Sequence, residues 1–228
     1  MSRSRFWERI GRQLQHPTGG AGAIIGKLLA FFNARPYRLA IDALDLKPGD
    51  KVLDIGFGPG RSFRLILQRA FPGRVCGIDH SEAMLRRATQ RNGAAIAAKR
   101  LELVQGTFDT LPWPDGTFDK VLLVNAIYFF DRCGRDIREA FRVLRPGGRL
   151  VVYATDRSTM QKWPFSDETH TMFDASSLVV LLERGGFDRS RVEIEHVALP
   201  LGIAGIVAIA GKGSSAVSAG GSRGESAA

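Results

Sequence analysis

The chain has 228 residues, long enough for one α/β domain with its own core and a modest extension, and too short for two full domains. Its two cysteines, Cys76 and Cys133, are too few for a disulfide framework or a cysteine-built metal site, so no metal is expected and a reducing cytoplasm fits best. The formal net charge of +9 invites anionic partners such as nucleic acid or a membrane surface, but the basic residues are scattered along helices (Arg86, Arg87, Arg91; Arg132, Arg135, Arg138, Arg142), a pattern that reads as solvated helix faces.

Residues 1–48 read as helical pieces. Ser2-Arg-Ser-Arg5 leads into a broken amphipathic stretch rather than the apolar core of a signal peptide. Phe6, Trp7 and Ile10 recur at near-helical spacing, His16-Pro17-Thr-Gly-Gly20 breaks the pattern, and Ile24, Ile25, Leu28, Leu29 and Phe32 mark a second helix that Pro36 ends. Tyr37 to Leu46 is a third. An apolar face beside arginines also fits a helix lying on a membrane surface, and packing against the main domain is the plainer alternative.

The central stretch is Lys51-Val-Leu-Asp-Ile-Gly-Phe-Gly-Pro-Gly-Arg61. A short apolar run delivers the backbone into Gly56, Gly58 and Gly60, and Phe63 to Ala70 follows as a helix. Glycines belong where the chain turns with positive φ or where a ligand presses on the main chain. The dinucleotide fingerprint Gly-x-Gly-x-x-Gly fails here, because Arg61 stands where its third glycine is required. Strand 74–79 ends in Asp79, and Ser81 is a good N-cap for a helix carrying Met84, Leu85 and Ala88. Strands 101–106 and 118–124 follow, then a helix over about 132–145 that stops before Pro146-Gly147-Gly148, then strand 148–153. A long polar connection, 154–173, holds Trp163, Phe165 and His170, and its length hints at function. Helix 176–184 and strands 192–197 and 205–210 complete an antiparallel finish. The segment 197–210 is too short and too broken by Pro200, Gly202 and Gly205 to span a bilayer. Residues 212–228 are mostly Gly, Ser and Ala, with few apolar anchors, and read as a disordered tail.

This alternation predicts an α/β fold: a Rossmann-like, doubly wound, seven-stranded sheet, mostly parallel with an antiparallel last strand, plus an N-terminal helical cap. The expected division is 1–48 extension, 49–211 core, 212–228 tail.

Several blocks carry a family resemblance: Val52-Leu-Asp-Ile-Gly-Phe-Gly-Pro-Gly60, Gly77-Ile-Asp-His-Ser-Glu-Ala-Met-Leu85, Gly106-Thr-Phe-Asp-Thr-Leu-Pro-Trp-Pro-Asp-Gly-Thr-Phe-Asp119, Asn125-Ala-Ile-Tyr128 and Leu144-Arg-Pro-Gly-Gly-Arg149. Over about 49–211 the chain resembles class I S-adenosylmethionine-dependent methyltransferases, in the branch that includes the ubiquinone and menaquinone biosynthesis enzymes. The resemblance implies S-adenosyl-L-methionine as cofactor and S-adenosyl-L-homocysteine as product, with the N-terminal helices as a lid. It implies that Asp79 accepts both ribose hydroxyls, that Asp54 holds the methionyl ammonium directly or through water, and that Gly56 to Gly60 lie against the methionine and ribose. Met84 and His80 would flank the adenine, and Asn125 would meet the methionyl group. The family's usual Asp after the third strand is replaced by Thr107, so the adenine contact passes to Thr107 and the Phe108 backbone, with Asp109 as a shifted acceptor.

Methyl transfer asks for positioning above all, since the sulfonium carries the reactive carbon and an in-line arrangement lowers the barrier. The catalytic residues are therefore unknown from sequence; His170 is the first candidate base and Tyr128 a positioning hydroxyl, with a surface histidine the plainer reading of His170. The fourth-strand exit, Asn125-Ala-Ile-Tyr128, is neither the Asp/Asn-Pro-Pro-Tyr/Phe of amino-methylating nucleic-acid enzymes nor the Pro-Cys of cytosine methylases. Phe31, Phe32, Tyr37, Tyr128, Phe129 and Phe130 suggest an aromatic entrance for a small lipophilic acceptor. Methylation of RNA or protein, a non-catalytic cofactor-binding regulator, and an NAD-dependent enzyme are the competing readings.

Overall fold

The computed structural model describes residues 35–162 and 171–214. The helices expected before residue 35, His170, and most of the Gly/Ser/Ala tail lie outside the described residues.

Seven strands form one sheet in the order β3-β2-β1-β4-β5-β7-β6. Strand β1 (Val52–Ile55) is buried along its whole length, as expected of a central parallel strand covered on both faces, which is why Val-Leu-Asp-Ile shows no polar alternation. It pairs in parallel with β2 (Val75–Asp79) on one side and β4 (Phe118–Val124) on the other. The chain reverses direction of travel across the sheet between β1 and β4, and their carboxyl ends form the crevice where open α/β sheets bind ligands. Strand β3 (Leu101–Gln105) is one edge, β5 (Leu144–Thr155) follows β4, and β7 (Ile203–Gly211) runs antiparallel between β5 and β6 (Val192–Leu199). The expected antiparallel last strand is present.

Alternate residues of β1 feed two cores. Val52 joins Phe57, Phe63, Ile66 and Ala88 on the face covered by α1 (residues 35–43), α2 (Phe63–Arg69) and α3 (Glu82–Arg91). Leu53 and Ile55 join Ile137, Ala140, Leu178 and Leu182 under α5 (Arg135–Val143) and α7 (Ala175–Arg184), α4 (Gly93–Ala97) and α6 (Arg157–Met160) being short turns between larger elements. Ser81 caps α3 as its sequence predicts, and Asp174 with Ser177 forms a capping box on α7.

The structure corrects several boundaries. The helix read over Tyr37 to Leu46 is described over residues 35–43, with Pro36 buried in its first described turn, where the missing N–H is tolerated; the helix that Pro36 is read to end lies outside the described residues. Helix α5 is shorter than 132–145, beginning after Gly134 in a left-handed conformation, φ +81°. Strand β5 starts before Pro146-Gly147-Gly148 rather than after it: Phe118 faces Leu144 while Lys120 faces Arg149, so the extra residues bulge out. That bulge is held by a distant segment, Gly147 donating to Lys212 O at 2.9 Å and Lys212 N to Gly148 O at 3.0 Å.

Arg142 on α5 fixes the long loop before β4. Its guanidinium donates to the carbonyls of Trp113 (2.8 Å) and Leu111 (3.0 Å), to Asp115 (2.8 Å) and to Glu139, which in turn accepts from Leu111 N at 2.8 Å.

Gly77 in β2 leaves room for the aromatic pair below the glycine loop. A Cβ there would lie 2.7 Å from both Phe57 Cδ1 and Phe63 Cζ, and 3.1 Å from Leu103 Cδ2. Gly77→Ala therefore overpacks the core and is expected to lower stability in urea unfolding by roughly 1–3 kcal/mol. Gly211→Ala, with open space around it, is expected to change stability by less than about 0.5 kcal/mol. Equal effects from the two substitutions would contradict this packing.

Candidate active site

The loop leaving β1 turns on three glycines, all with positive φ: Gly56 at +72°, Gly58 at +55° and Gly60 at +67°. Two of them are also packed too closely for a side chain. A Cβ on Gly56 would sit 2.5 Å from Ala126 Cβ, and one on Gly60 2.8 Å from Ala88 Cβ. Gly58 differs: nothing lies within 4 Å of its missing Cβ, so the loop presents an open surface there.

Two acids stand at this loop. Asp79 ends β2 almost fully buried; its Oδ2 accepts from Gly58 N at 2.8 Å and its Oδ1 from Ser81 N at 2.9 Å. Each oxygen keeps a further lone-pair direction for another donor. Asp54 in β1 is completely buried. Its Oδ2 accepts from Ser62 Oγ at 2.6 Å, and its Oδ1 is buried with no partner among the described residues. Burial pushes the Asp54 carboxyl up to about 7; the Ser62 hydrogen bond pulls the other way, and the Asp79 charge adds to the rise. The phenol of half-buried Tyr37 on α1 is pushed well above its ordinary value by burial and by both Asp54 and Asp79, which puts α1 on the same side as the acids.

An aromatic edge follows. His80 is exposed, with Nδ1 3.8 Å from Asp79 Oδ1 and its ring centroid 5.9 Å from Phe108 and 6.1 Å from Phe129. Phe108 is buried against Phe130, and Thr107 and Asp109 beside it are exposed. Met84 is half-buried on the first turn of α3, where its N–H donates to Ser81 Oγ at 3.4 Å.

Asn125, just past β4, adopts φ +56° and donates from its backbone N–H to Tyr153 O at 3.0 Å. Tyr128 holds its side chain: the phenol donates to Asn125 Oδ1 at 2.8 Å and accepts from Thr155 N at 2.6 Å. Burial raises the phenol's pKa, and its one proton is committed to Asn125, so Tyr128 ties the exit of β4 to the end of β5.

Asp54, the three glycines, Asp79, His80, Met84, Phe108 and Asn125 thus gather around the carboxyl ends of β1, β2 and β4, with Thr107 on the loop after β3. Sequence reasoning missed Ser62, whose hydroxyl leaves its own helix uncapped in order to reach Asp54. The available signal was a hydroxyl two residues past the last glycine. It also left Tyr37 as one aromatic among several.

A sheet in this order, with a glycine loop after β1 and an acid ending β2, defines a Rossmann-like α/β protein of the methyltransferase type. Residues 53–152 match the family model described as a methyltransferase domain. The uncharacterised methyltransferase YdaC of Bacillus subtilis is 34% identical over 129 residues, 57% of this chain and 69% of that one. The ubiquinone/menaquinone biosynthesis C-methyltransferase UbiE of Cereibacter sphaeroides is 33% identical over 150 residues, 64% of this chain but only 60% of that one, so the match spans three fifths of that relative. The crystal structure of a SAM-dependent methyltransferase from Aquifex aeolicus shares the fold, with a TM-score of 0.61 at 20% identity over 76% of this chain and 88% of that one. The chain belongs to the class I S-adenosylmethionine-dependent methyltransferases and is an enzyme of that class.

Tyr128→Phe removes both hydrogen bonds of the tie and leaves the nearly buried Thr155 amide without its acceptor. The expected loss is roughly 1–3 kcal/mol in urea unfolding. Unchanged stability would mean that the phenol is not the tie.

Proposed function

We propose that this chain transfers a methyl group from S-adenosylmethionine to a small, lipophilic acceptor. The observation that carries the cofactor reading is the orphaned Oδ1 of Asp54, a buried acceptor lying next to an open glycine loop. A buried carboxylate oxygen without a partner is costly, and the methionyl ammonium offers the missing donor and the compensating charge. The spare lone pairs of Asp79 suit two ribose hydroxyls. His80, Phe108 and Phe129 supply aromatic surface for an adenine, Met84 an adaptable neighbour, and Thr107 with the Phe108 backbone the polar contacts. The group set fits the cofactor.

When bound, S-adenosylmethionine supplies a methyl group on a sulfonium whose departing thioether is neutral. The chain's own contribution is positioning, which can lower a barrier by roughly 7–11 kcal/mol when the reacting atoms are well aligned. Gly56 and Gly60 fix the loop against Ala126 and Ala88. Tyr128 orients Asn125 toward the methionyl end and acts through it rather than on the acceptor. An acidic phenol or enol acceptor needs no base from the protein; for a less acidic one, His170 is the proposed base.

A lipophilic acceptor is supported by the exposed ring of Phe129 next to His80, and by the small-molecule chemistry in the name of the UbiE relative. The fourth-strand exit, Asn125-Ala-Ile-Tyr128, argues against a nucleic-acid base as substrate. Among the described residues no helix is long and apolar enough to cross a membrane. Two free cysteines, one of them exposed, fit work in the cytoplasm.

Two tests follow from this reading. Below about pH 7 the carboxyl of ligand-free Asp54 is mostly protonated, and above it mostly ionised. An ammonium prefers the ionised form, so affinity for S-adenosylhomocysteine is expected to rise as pH passes up through about 7 and then level. Asp54→Asn is expected to flatten this profile and weaken binding roughly tenfold at alkaline pH. A variant with the wild-type profile would remove Asp54 from the site. For the acceptor, the protein is incubated with methyl-labelled S-adenosylmethionine and a cell extract. Label is expected in the organic-soluble fraction; label confined to nucleic acid or protein would overturn the small-molecule reading.

A further inference from the structure

Between α2 and the end of α3 with α4 lies an open groove of about 590 Å³. Its first wall is a single stripe of α2 and the turn after it, Arg64, Leu67, Gln68 and Phe71, spaced i, i+3, i+4, i+7. The second wall is the end of α3 with α4, contributing Arg91 and Asn92, and Arg100 closes the groove just before β3. No acidic side chain lines it.

The three arginines differ from Arg69 and Arg86 on these helices. Arg69 pairs with Asp42 and Arg86 with Glu82, whereas Arg64, Arg91 and Arg100 have no carboxylate partner among the described residues. Two of them are nevertheless held in place. Arg91 Nε donates to Pro59 O at 3.1 Å, leaving its terminal nitrogens uncommitted. Arg100 donates through Nη2 to Leu67 O at 2.8 Å and lies 4.7 Å over the ring of Phe71, while its Nε is buried with no partner among the described residues. Asn92 is fixed by bonds from its amide to Gly60 O and Ala88 O. Donors already anchored lose little freedom when they bind, and uncompensated guanidinium forks match phosphate oxygens in geometry and charge. Phe71 is 61% exposed and gives the groove an apolar side.

We propose that this groove is a binding site for a small phosphorylated molecule, its phosphate held by Arg64, Arg91 and Arg100 and its apolar body laid along Phe71 and Leu67. The site is distinct from the cofactor cleft, since none of the residues assigned to the cofactor lines the groove, and it does not depend on which acceptor the enzyme methylates. The occupant's two parts account for the two kinds of lining: a dianionic group for the three cations, and an apolar portion for the stripe of α2.

The test is calorimetric titration of the full chain with phenyl phosphate, alongside benzoate, in wild type, Arg64→Glu and Arg191→Glu. Arg64 is exposed and has no partner among the described residues, so its replacement leaves the fold intact. Arg191, next to the opposite edge strand, gives the same change in net charge away from the groove. The expected result is saturable binding of one phenyl phosphate per chain, tighter than benzoate, weakened at least tenfold by Arg64→Glu and less than twofold by Arg191→Glu, and undisturbed by saturating S-adenosylhomocysteine. Absent or unsaturable binding, equal losses in the two variants, equal affinity for benzoate, or displacement by S-adenosylhomocysteine would each overturn it.

Discussion

Two backbone amides, from Gly58 and Ser81, share the carboxylate of Asp79, and the geometry of the site depends on that junction. The bond to Gly58 pins the loop after β1 to the end of β2; the bond to Ser81 sets the corner from which α3 departs. With the loop so pinned, Gly56 comes against Ala126 at the exit of β4, and Gly60 against Ala88 of α3 and Asn92, which follows it. Three neighbouring strands and two helices therefore meet around one buried acid. An alanine in its place would leave both amides without their acceptor and free the loop from the sheet.

Asp54 represents the opposite arrangement. Asp79 is satisfied by the fold, but Asp54 is only half satisfied, by Ser62, and is raised by burial to about 7. A protein that keeps a carboxyl in the centre of its sheet with one oxygen unpartnered carries an energetic cost in the ligand-free state. In the proposed function the methionyl ammonium would remove that cost by pairing with Asp54. The combination of a satisfied acid that shapes the loop and an unsatisfied acid beside it separates this site from a merely structural glycine turn.

Much of this was legible in the sequence, for identifiable reasons. Glycines at alternate positions after an apolar strand report positive φ and close approach, which are local requirements, and Asp79 at the end of the next strand follows from the strand's own apolar pattern. Ser81 was readable as a cap because capping is local. What was illegible depends on contacts far along the chain. Tyr128 looked like a residue facing the acceptor, and its partner Thr155 N lies 27 residues away on β5. Pro146-Gly147-Gly148 signalled an end to the helix correctly, yet strand pairing resumes around it because Lys212, just past the neighbouring strand β7, bonds the bulge from 64 or more residues away in sequence. Short α4 was hidden by a glycine at its first position, Gly93.

The account's central claim is that the crevice at the ends of β1 and β4 is built for S-adenosylmethionine rather than for a dinucleotide, although both use a glycine loop and an acid. The most direct measurement is a calorimetric titration of the purified chain with S-adenosylhomocysteine and, separately, with NADH. Saturable binding of S-adenosylhomocysteine with no heat from NADH is the predicted result. Binding of NADH in the absence of binding of S-adenosylhomocysteine would contradict the account.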